Sequence, residues 1–326
     1  MKWFGKMLGR VLIVFVLLVA GLWLLGPHED ATLTPGAVSV GPDLDAHFAE
    51  LEAGFDDITP GVEKRVIWAG DVGAQTEWAI LYVHGFSATS EEIRPVPDRV
   101  AKALGANLIY TRLRGHGRGP DAMSEGSVRG WATDLAEGVQ AARHAGQKVA
   151  IVATSTGATL VAAMAQDASV MADVAGLVFV SPNFGLNNPL AKLLSWPAAR
   201  YWLPPLAGER RSFEPSNEAH GTYWTTEYES VAVMPMAALI DATMAMDHGA
   251  QTIPALFWYA QADAVVLPEA TAQVAAAWGA AATVVNPVMG PGDDPLSHVA
   301  AGDIMSPGQT DRAVADMLDW IAGLDP

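Results

Sequence analysis

Residues 149–164, VAIVATSTGATLVAAM, decide the fold of this chain. An apolar, strand-like run ends at Thr154, a serine follows at position 155, and helix-forming residues begin at once. Small residues at Ala153 and Gly157 let the turn close against its neighbours. This strand–turn–helix order is typical of a nucleophile elbow, which exposes a serine hydroxyl on a tight turn. The elbow pattern normally has glycine at the first small position, and Ala153 departs from it.

Short apolar runs alternate with helical patterns on both sides of the elbow. The sequence predicts strands at 66–69, 78–83, 107–110, 149–154, 177–180, 255–259 and 282–285. It predicts helices at 43–55, 93–104, 128–145 and 311–321, and one that follows Ser155 directly. Such alternation predicts an α/β protein with a mainly parallel sheet covered by helices on both faces.

The alternation breaks once, between residues 186 and 250, where Trp, Pro, Tyr and Met are abundant. An insertion of this length is rarely a bare loop. It predicts a helical lid subdomain over an apolar substrate pocket. An ordinary subdomain whose aromatic residues form its own core explains the same composition, and for any single aromatic residue that role is favoured.

Val11–Leu25 is apolar without a break, follows Lys2, Lys6 and Arg10, and ends before Pro27. Such a segment is either a cleaved signal peptide or an uncleaved signal anchor. We favour the anchor, because cleavage after the small residues in this run would leave an exposed Leu-Trp-Leu-Leu. The basic flank stays in the cytoplasm, which predicts a transmembrane anchor with a periplasmic or otherwise extracytoplasmic catalytic domain.

The predicted organisation follows from these patterns. It comprises a signal anchor (1–26), a stalk and lead-in (27–60), an α/β core (61–185 and 251–326) and a lid subdomain (186–250).

The 326 residues carry a net charge of −17, and their basic residues do not form the cluster that a phosphate backbone requires, which argues against a nucleic-acid partner. There is no cysteine, so disulfides and thiolate metal sites are excluded. The sequence also lacks the common zinc-protease, P-loop and dinucleotide motifs. We therefore expect neither a cofactor nor a metal.

A serine at an elbow needs a base to take its proton and an acid to orient that base. Asp263 lies just beyond the predicted strand 255–259, where ligands and catalytic groups gather in open α/β sheets. His298 lies beyond the strand 282–285, in a loop rich in Gly, Pro and Asp. Ser155, Asp263 and His298 are therefore the candidate nucleophile, orienting acid and base, in the chain order expected for this architecture.

Two backbone N–H groups are the candidates for an oxyanion hole. One belongs to Thr156, after the nucleophile, and the other to Phe86, after His84-Gly85 in an early strand-to-helix loop. We assign His84 a structural role in that loop. Asp293 and Asp294, which precede His298, are expected to lie in a solvated loop rather than to bind a metal.

Together these pieces resemble the α/β-hydrolases, specifically the carboxylesterases and monoacylglycerol-lipase-like serine hydrolases of the serine aminopeptidase S33 type. The matching segments are YVHGF (82–86), RLRGHG (112–117), WATD (131–134), the Ser155 elbow, Asp263 and His298. They occur in the expected order over residues 64–320. The resemblance implies an eight-stranded sheet, a lid between strands six and seven, and no cofactor. His116 belongs to a family loop marker and is not assigned to catalysis.

The expected function is hydrolysis of carboxylic esters through an acyl-enzyme on Ser155, with a small-molecule or lipid-like ester as substrate. Two alternatives stay open at this point. The same triad could transfer the acyl group to another acceptor or cleave a different bond, because fold and triad do not separate these outcomes. The chain could also be a non-catalytic, membrane-anchored binding protein, although a degenerate scaffold need keep neither Asp263 nor His298.

Overall fold

A seven-stranded sheet lies at the centre of the computed structural model, which describes residues 2–324. In chain order the strands are β1 (Arg65–Ile67), β2 (Thr76–Val83), β3 (Asn107–Tyr110), β4 (Gly146–Thr154), β5 (Val174–Val180), the separate pair β6 (Arg210–Ser212) and β7 (Glu227–Glu229), then β8 (Ala255–Trp258) and β9 (Ala282–Val285). The spatial order of the main sheet is β1-β3-β2-β4-β5-β8-β9. Within this main sheet only β1 runs antiparallel to its neighbour.

Ten helices accompany the sheet within the described residues. They are α1 (Lys2–Leu25), α2 (Leu44–Glu52), α3 (Val96–Leu104), α4 (Val128–Ala145), α5 (Ser155–Met164), α6 (Ala199–Ala207), α7 (Glu218–Tyr223), α8 (Val233–Met244), α9 (Pro268–Ala277) and α10 (Thr310–Ala322).

All seven strands predicted from the sequence are present, with bounds that shift by up to three residues. The resemblance implies eight strands, but the main sheet has seven within residues 2–324. The insertion accordingly lies between the fifth and sixth strands of this sheet, β5 and β8, and not between strands six and seven. Helix α9 was not predicted, because its Ala-rich sequence shows little apolar periodicity.

Two hydrophobic clusters cover the two faces of the sheet. Alternate residues of β2 point to opposite faces, so that Leu81 joins one cluster and Ile80 the other. The first cluster includes residues of α4, α5, α8 and α9, and the second includes residues of α3 and α10. This arrangement confirms the predicted mainly parallel sheet with helices on both faces.

Residues 27–62 run along the surface of the core. Helix α2 is preceded by Asp43, whose side chain accepts a hydrogen bond from the Ala46 N–H and caps the first turn. It buries Leu44 and Phe48, which are 1% and 2% exposed, in the same cluster as α4. This part of the chain therefore contributes to the hydrophobic core.

The inserted segment 186–250 has two structural parts. Its first part holds α6, α7 and the small antiparallel pair β6–β7. Its second part is α8, which packs against α5 and buries Met234 and Leu239 in the first cluster. Several residues between 213 and 228 of the first part line one cleft with Ser155, where β4 passes into α5.

Helix α1 is the one described helix long and apolar enough to cross a membrane, over Lys6–Leu25. None of that window is buried inside the protein. The predicted anchor begins at Met1, and the predicted core ends with residues 325–326. These three residues lie outside the part of the chain that the structure describes.

Candidate active site

The elbow forms where β4 ends at Thr154 and α5 begins at Ser155. Ser155 has φ of +50°, a left-handed backbone conformation that costs energy for a residue with a side chain. A Cβ at Gly157 would lie 2.4 Å from the His84 carbonyl oxygen and 2.6 Å from that of Val83, so only glycine fits there. The Cβ of Ala153, by contrast, is buried in the first cluster. The turn therefore requires glycine at 157 and accommodates alanine at 153.

A continuous hydrogen-bond chain links the three residues predicted from the sequence. His298 Nε2 lies 3.0 Å from Ser155 Oγ, and His298 Nδ1 lies 2.8 Å from Asp263 Oδ2. The other oxygen of Asp263 accepts the backbone N–H groups of Val265 and Val266 at 2.8 and 2.9 Å. The structure thus brings Ser155, His298 and Asp263 together in the order of a nucleophile, a base and an orienting acid.

The electrostatic environment of His298 favours its protonated form. Burial alone would lower the pKa of His298. The hydrogen bond and negative charge of Asp263, with smaller contributions from Glu92 and Asp294, outweigh burial and raise this pKa above its ordinary value. A base with these neighbours accepts a proton from serine readily, because the imidazolium it becomes is stabilised.

Asp294 organises the loop that carries His298. Its Oδ2 accepts the N–H groups of His298 and Val299, each at 2.9 Å, and its Oδ1 accepts that of Leu296 at 3.1 Å. Asp293 similarly accepts bonds from Gly290, Gly308 and Gln309. The two side chains are 6% and 8% exposed, so the expectation of a solvated loop is wrong. The clustering of Asp, Gly and Pro was the available signal for such a hydrogen-bonded loop.

The two predicted oxyanion residues, Phe86 and Thr156, lie in the wall of one cleft with Ser155. Thr156 is the second residue of α5, and its N–H is one of those without an acceptor inside the helix. Positive helix-dipole charge at the same end favours an anion there.

His84 supports the loop that carries Phe86. Its Nδ1 lies 2.9 Å from the Gly85 carbonyl oxygen, and its Nε2 accepts the Leu113 N–H at 3.1 Å. His116 is buried against the Phe86 ring, and burial lowers its pKa to about 4, so it stays neutral near pH 7. The contacts of both histidines hold the loop, and neither one contacts Ser155.

The cleft over Ser155 has a volume of about 410 Å³. Its wall is mainly apolar and aromatic, with residues from the insertion and the core: Phe86, Leu186, Trp224, Tyr228, Val233 and Met236. Fewer polar groups line it, among them Glu214, Ser216 and His220. Apolar cavities with a few polar groups are typical of small-molecule sites.

Glu92 also lines this cleft, and no sequence pattern singled it out. It is 2% exposed, and its carboxyl accepts the Gly85 N–H at 2.7 Å and the Tyr82 hydroxyl at 3.0 Å. Burial raises its pKa to about 7. No local pattern could have predicted a buried carboxyl here, because its partners come from β2 and from the loop that follows it.

A larger cleft of about 670 Å³ lies between the lead-in and α4. Its acids and bases pair with one another: Lys64 with Asp134 and Glu137, and Arg112 with Glu52. Such pairing is typical of a structural ion-pair network. Over residues 2–324, no group of three or more His, Cys, Asp or Glu side chains is arranged to hold a metal ion.

Comparisons with known proteins identify the family and the fold of the chain. The family profile of the serine aminopeptidases, S33, matches residues 74–286. The thermostable monoacylglycerol lipase of Bacillus sp. (strain H-257) is 30% identical over 121 residues, which are 37% of this chain and 44% of that enzyme. The chain thus aligns with less than half of the length of that relative.

Solved structures share the fold at low sequence identity. A metagenome-derived lipolytic enzyme from the LipS and LipT study superposes with a TM-score of 0.66 at 17% identity, over 82% of this chain and 99% of that one. The monoacylglycerol lipase of Paleococcus ferrophilus gives 0.54 at 13%, over 81% and 100%. A soluble variant of the monoglyceride lipase of Saccharomyces cerevisiae gives 0.57 at 11%, over 82% and 97%. The chain belongs to the serine aminopeptidase S33 family of hydrolases and has the α/β-hydrolase fold.

Proposed function

We propose that this hydrolase cleaves carboxylic esters through an acyl-enzyme on Ser155. The observation that carries the proposal is the hydrogen-bond chain from Ser155 Oγ through His298 to Asp263. Ser155 and His298 line a mainly apolar cleft. A serine at the N-terminus of α5, with the His298 imidazole 3.0 Å away, has both a base and an anion-stabilising environment.

In the first half of the reaction, Ser155 Oγ attacks the ester carbonyl carbon while its proton moves to His298 Nε2. The carbonyl oxygen becomes an oxyanion, held by the backbone N–H groups of Phe86 and Thr156. Asp263 keeps Nδ1 protonated and stabilises the imidazolium. Collapse of this intermediate breaks the ester bond, and the departing alkoxide takes the proton from His298.

In the second half, water attacks the acyl group on Ser155 and gives a proton to His298. The second oxyanion occupies the same pair of N–H groups. When it collapses, the carboxylic acid leaves and Ser155 Oγ recovers its proton from His298. The enzyme thereby returns to its starting state.

The lining of the cleft supports an ester with an apolar acyl chain. Aromatic and methionine side chains surround the space next to Ser155, and Met adapts its shape to flexible chains. The partial similarity to a monoacylglycerol lipase points to the same substrate class. We therefore expect lipid-like esters to be better substrates than small polar esters. We assign the 186–250 insertion the role of a lid.

The N-terminal helix supports a location at a membrane. Its 20-residue window has the length of a bilayer-spanning helix and no buried surface, and its basic residues lie toward the N-terminus. With that end in the cytoplasm, the hydrolase domain would lie on the extracytoplasmic side. Recovery in the soluble fraction after cell lysis would contradict an uncleaved anchor.

The decisive experiment compares the wild type with Ser155→Ala on p-nitrophenyl esters of increasing acyl length. We expect the variant to lose hydrolysis at every length while it keeps the thermal unfolding midpoint of the wild type. A fluorophosphonate probe should label Ser155 in the wild type only. Full activity of Ser155→Ala would refute the proposal, and added alcohol as a competing acceptor tests whether water is the preferred one.

A further inference from the structure

Glu92 is a carboxyl group in the wall of the cleft that the proposed mechanism does not use. It is nearly inaccessible, and its Oε2 accepts hydrogen bonds from the Gly85 N–H at 2.7 Å and from the Tyr82 hydroxyl at 3.0 Å. Burial of a carboxyl group costs free energy because it penalises the charged form. Such a group next to a reaction centre is a candidate for a functional role.

Gly85 lies between this carboxyl and the candidate nucleophile. A Cβ on Gly85 would lie 2.7 Å from Glu92 Oε1 and 3.1 Å from the Ser155 Cβ. The missing side chain at position 85 therefore lets the carboxyl approach the reaction centre. Because Gly85 directly precedes Phe86, Glu92 also holds the loop that supplies one of the two proposed oxyanion donors.

Glu92 and His298 affect each other's charge. Burial raises the pKa of Glu92 to about 7, although the Gly85 N–H, a protonated His298 and the Tyr82 hydroxyl all favour the ionised carboxylate. In turn, the Glu92 carboxylate is one of the charges that raise the pKa of His298. Groups that interact in this way and titrate over a common range lose their protons as a pair.

Other charged and titratable groups surround this pair. Asp294 acts on His298 from its own loop, and Asp263 acts on it from the loop after β8. Burial raises the pKa of Tyr82 well above its usual value, so Tyr82 stays neutral. The nearby charges before and within α3 form a separate group around the Tyr110 ring: Arg65, Glu91, Arg94 and Asp98.

We propose that Glu92 is a positioning residue of this site: it anchors the oxyanion loop through Gly85 and acts through its charge on His298 in the same cleft. The inference rests on the proposed roles of Ser155 and His298. It predicts that the acid limb of the activity profile belongs to the Glu92–His298 pair and not to the histidine alone.

The test is the pH dependence of fluorophosphonate labelling of Ser155, together with that of kcat/KM for an ester, in Glu92→Gln. The glutamine oxygen can still accept both hydrogen bonds, but it carries no charge. Without that charge His298 loses its proton at lower pH, so the acid limb should move down by about half a pH unit or more. The plateau rate should change by less than about threefold, because the loop stays anchored.

Glu92→Ala separates the two roles. It removes the anchor as well as the charge, so the acid limb should move in the same direction and the plateau should fall by about tenfold or more. Glu91→Gln is the matched control, since the neighbouring carboxyl pairs with Arg65 and Arg94 outside the cleft. Its acid limb should coincide with that of the wild type.

If Glu92→Gln does not fold, Tyr82→Phe supplies the second test. Loss of the hydroxyl favours the neutral form of Glu92, so the acid limb should again move to lower pH, by a smaller amount. If the variant that folds has the same acid limb as the wild type, the proposed role of Glu92 is wrong. Failure of the proposed function looks different, because Ser155 would then go unlabelled in the wild type as well.

Discussion

The carboxylate of Asp294 accepts the backbone N–H of His298 at 2.9 Å, and the same oxygen accepts the N–H of Val299. Ser297, just before the histidine, has φ of +55°, so the loop is held in a conformation that costs energy for a non-glycine residue. Asp294 therefore fixes the backbone from which the imidazole reaches Ser155. It also contributes to the raised pKa of His298 through its charge.

Asp294→Ala should lower kcat/KM by about 10- to 100-fold, because the imidazole loses its fixed position and misplacement of a catalytic group is costly. It should also lower stability by about 2–4 kcal/mol, since three N–H groups lose a charged acceptor. Steady-state kinetics and thermal unfolding of the same preparation measure both effects.

Asp293→Ala is the comparison variant for Asp294. Asp293 is as buried and binds the same loop, but its partners lie at Gly290, Gly308 and Gln309, away from the histidine. We expect a similar loss of stability with a smaller loss of activity. Equal effects of the two substitutions on kcat/KM would contradict a specific role for Asp294.

Local sequence patterns predicted the elements that hold the candidate site. The apolar run into Ser155 and the helix formers after it are contiguous in the chain, and β4, the elbow and α5 follow the prediction. Asp263 and His298 were found because strand ends of a parallel sheet meet at one edge. Glu92 and the burial of Asp294 were missed, because both depend on partners that only the tertiary fold brings near. The insertion could be located by its composition, but the β6–β7 pair has strands too short to give an alternating pattern.

The two small residues of the elbow should differ sharply in their tolerance to substitution. Gly157→Ala places a methyl group against the backbone oxygens of Val83 and His84, which cannot move without a shift of β2. We expect a loss of about 3 kcal/mol or more, with little soluble protein. Ala153→Gly restores the usual elbow pattern and should cost about 1 kcal/mol. Thermal unfolding compares them, and a Gly157→Ala variant as stable as the wild type would contradict the described turn.

The acid limb of ester hydrolysis should have its midpoint above the ordinary histidine pKa of about 6.5. His298 acts as a base only when neutral, and Asp263 holds its proton to higher pH. Asp263→Asn should move the midpoint down and lower kcat by three to four orders of magnitude, because the tautomer is no longer fixed. A kcat/KM profile from pH 5 to 9 tests this, and an acid limb unmoved by the substitution would count against it.

The raised pKa of His298 also predicts how the stability of the native state depends on pH. A histidine whose pKa is raised by folding stabilises the native state in its protonated form. This contribution is present below about pH 6.5 and is lost as the pH rises through the folded-state pKa of His298. Activity should therefore rise over the range in which the contribution disappears. His298→Gln should remove this part of the pH dependence of thermal unfolding, and an unchanged difference from the wild type between pH 5 and 8 would exclude it.

The lead-in should be required for stability. Helix α2 presents Phe48, 2% exposed, to the core beside α4, whereas Leu51 on the same helix is 40% exposed. Phe48→Ala should cost about 3–5 kcal/mol, because it leaves a cavity that the sheet and α4 cannot fill. Leu51→Ala should cost less than about 1 kcal/mol. Urea denaturation of the two variants compares a buried with an exposed position on one helix. Equal midpoints would mean that residues 43–52 are a detachable stalk, while a loss confined to Phe48→Ala would make them part of the hydrolase core.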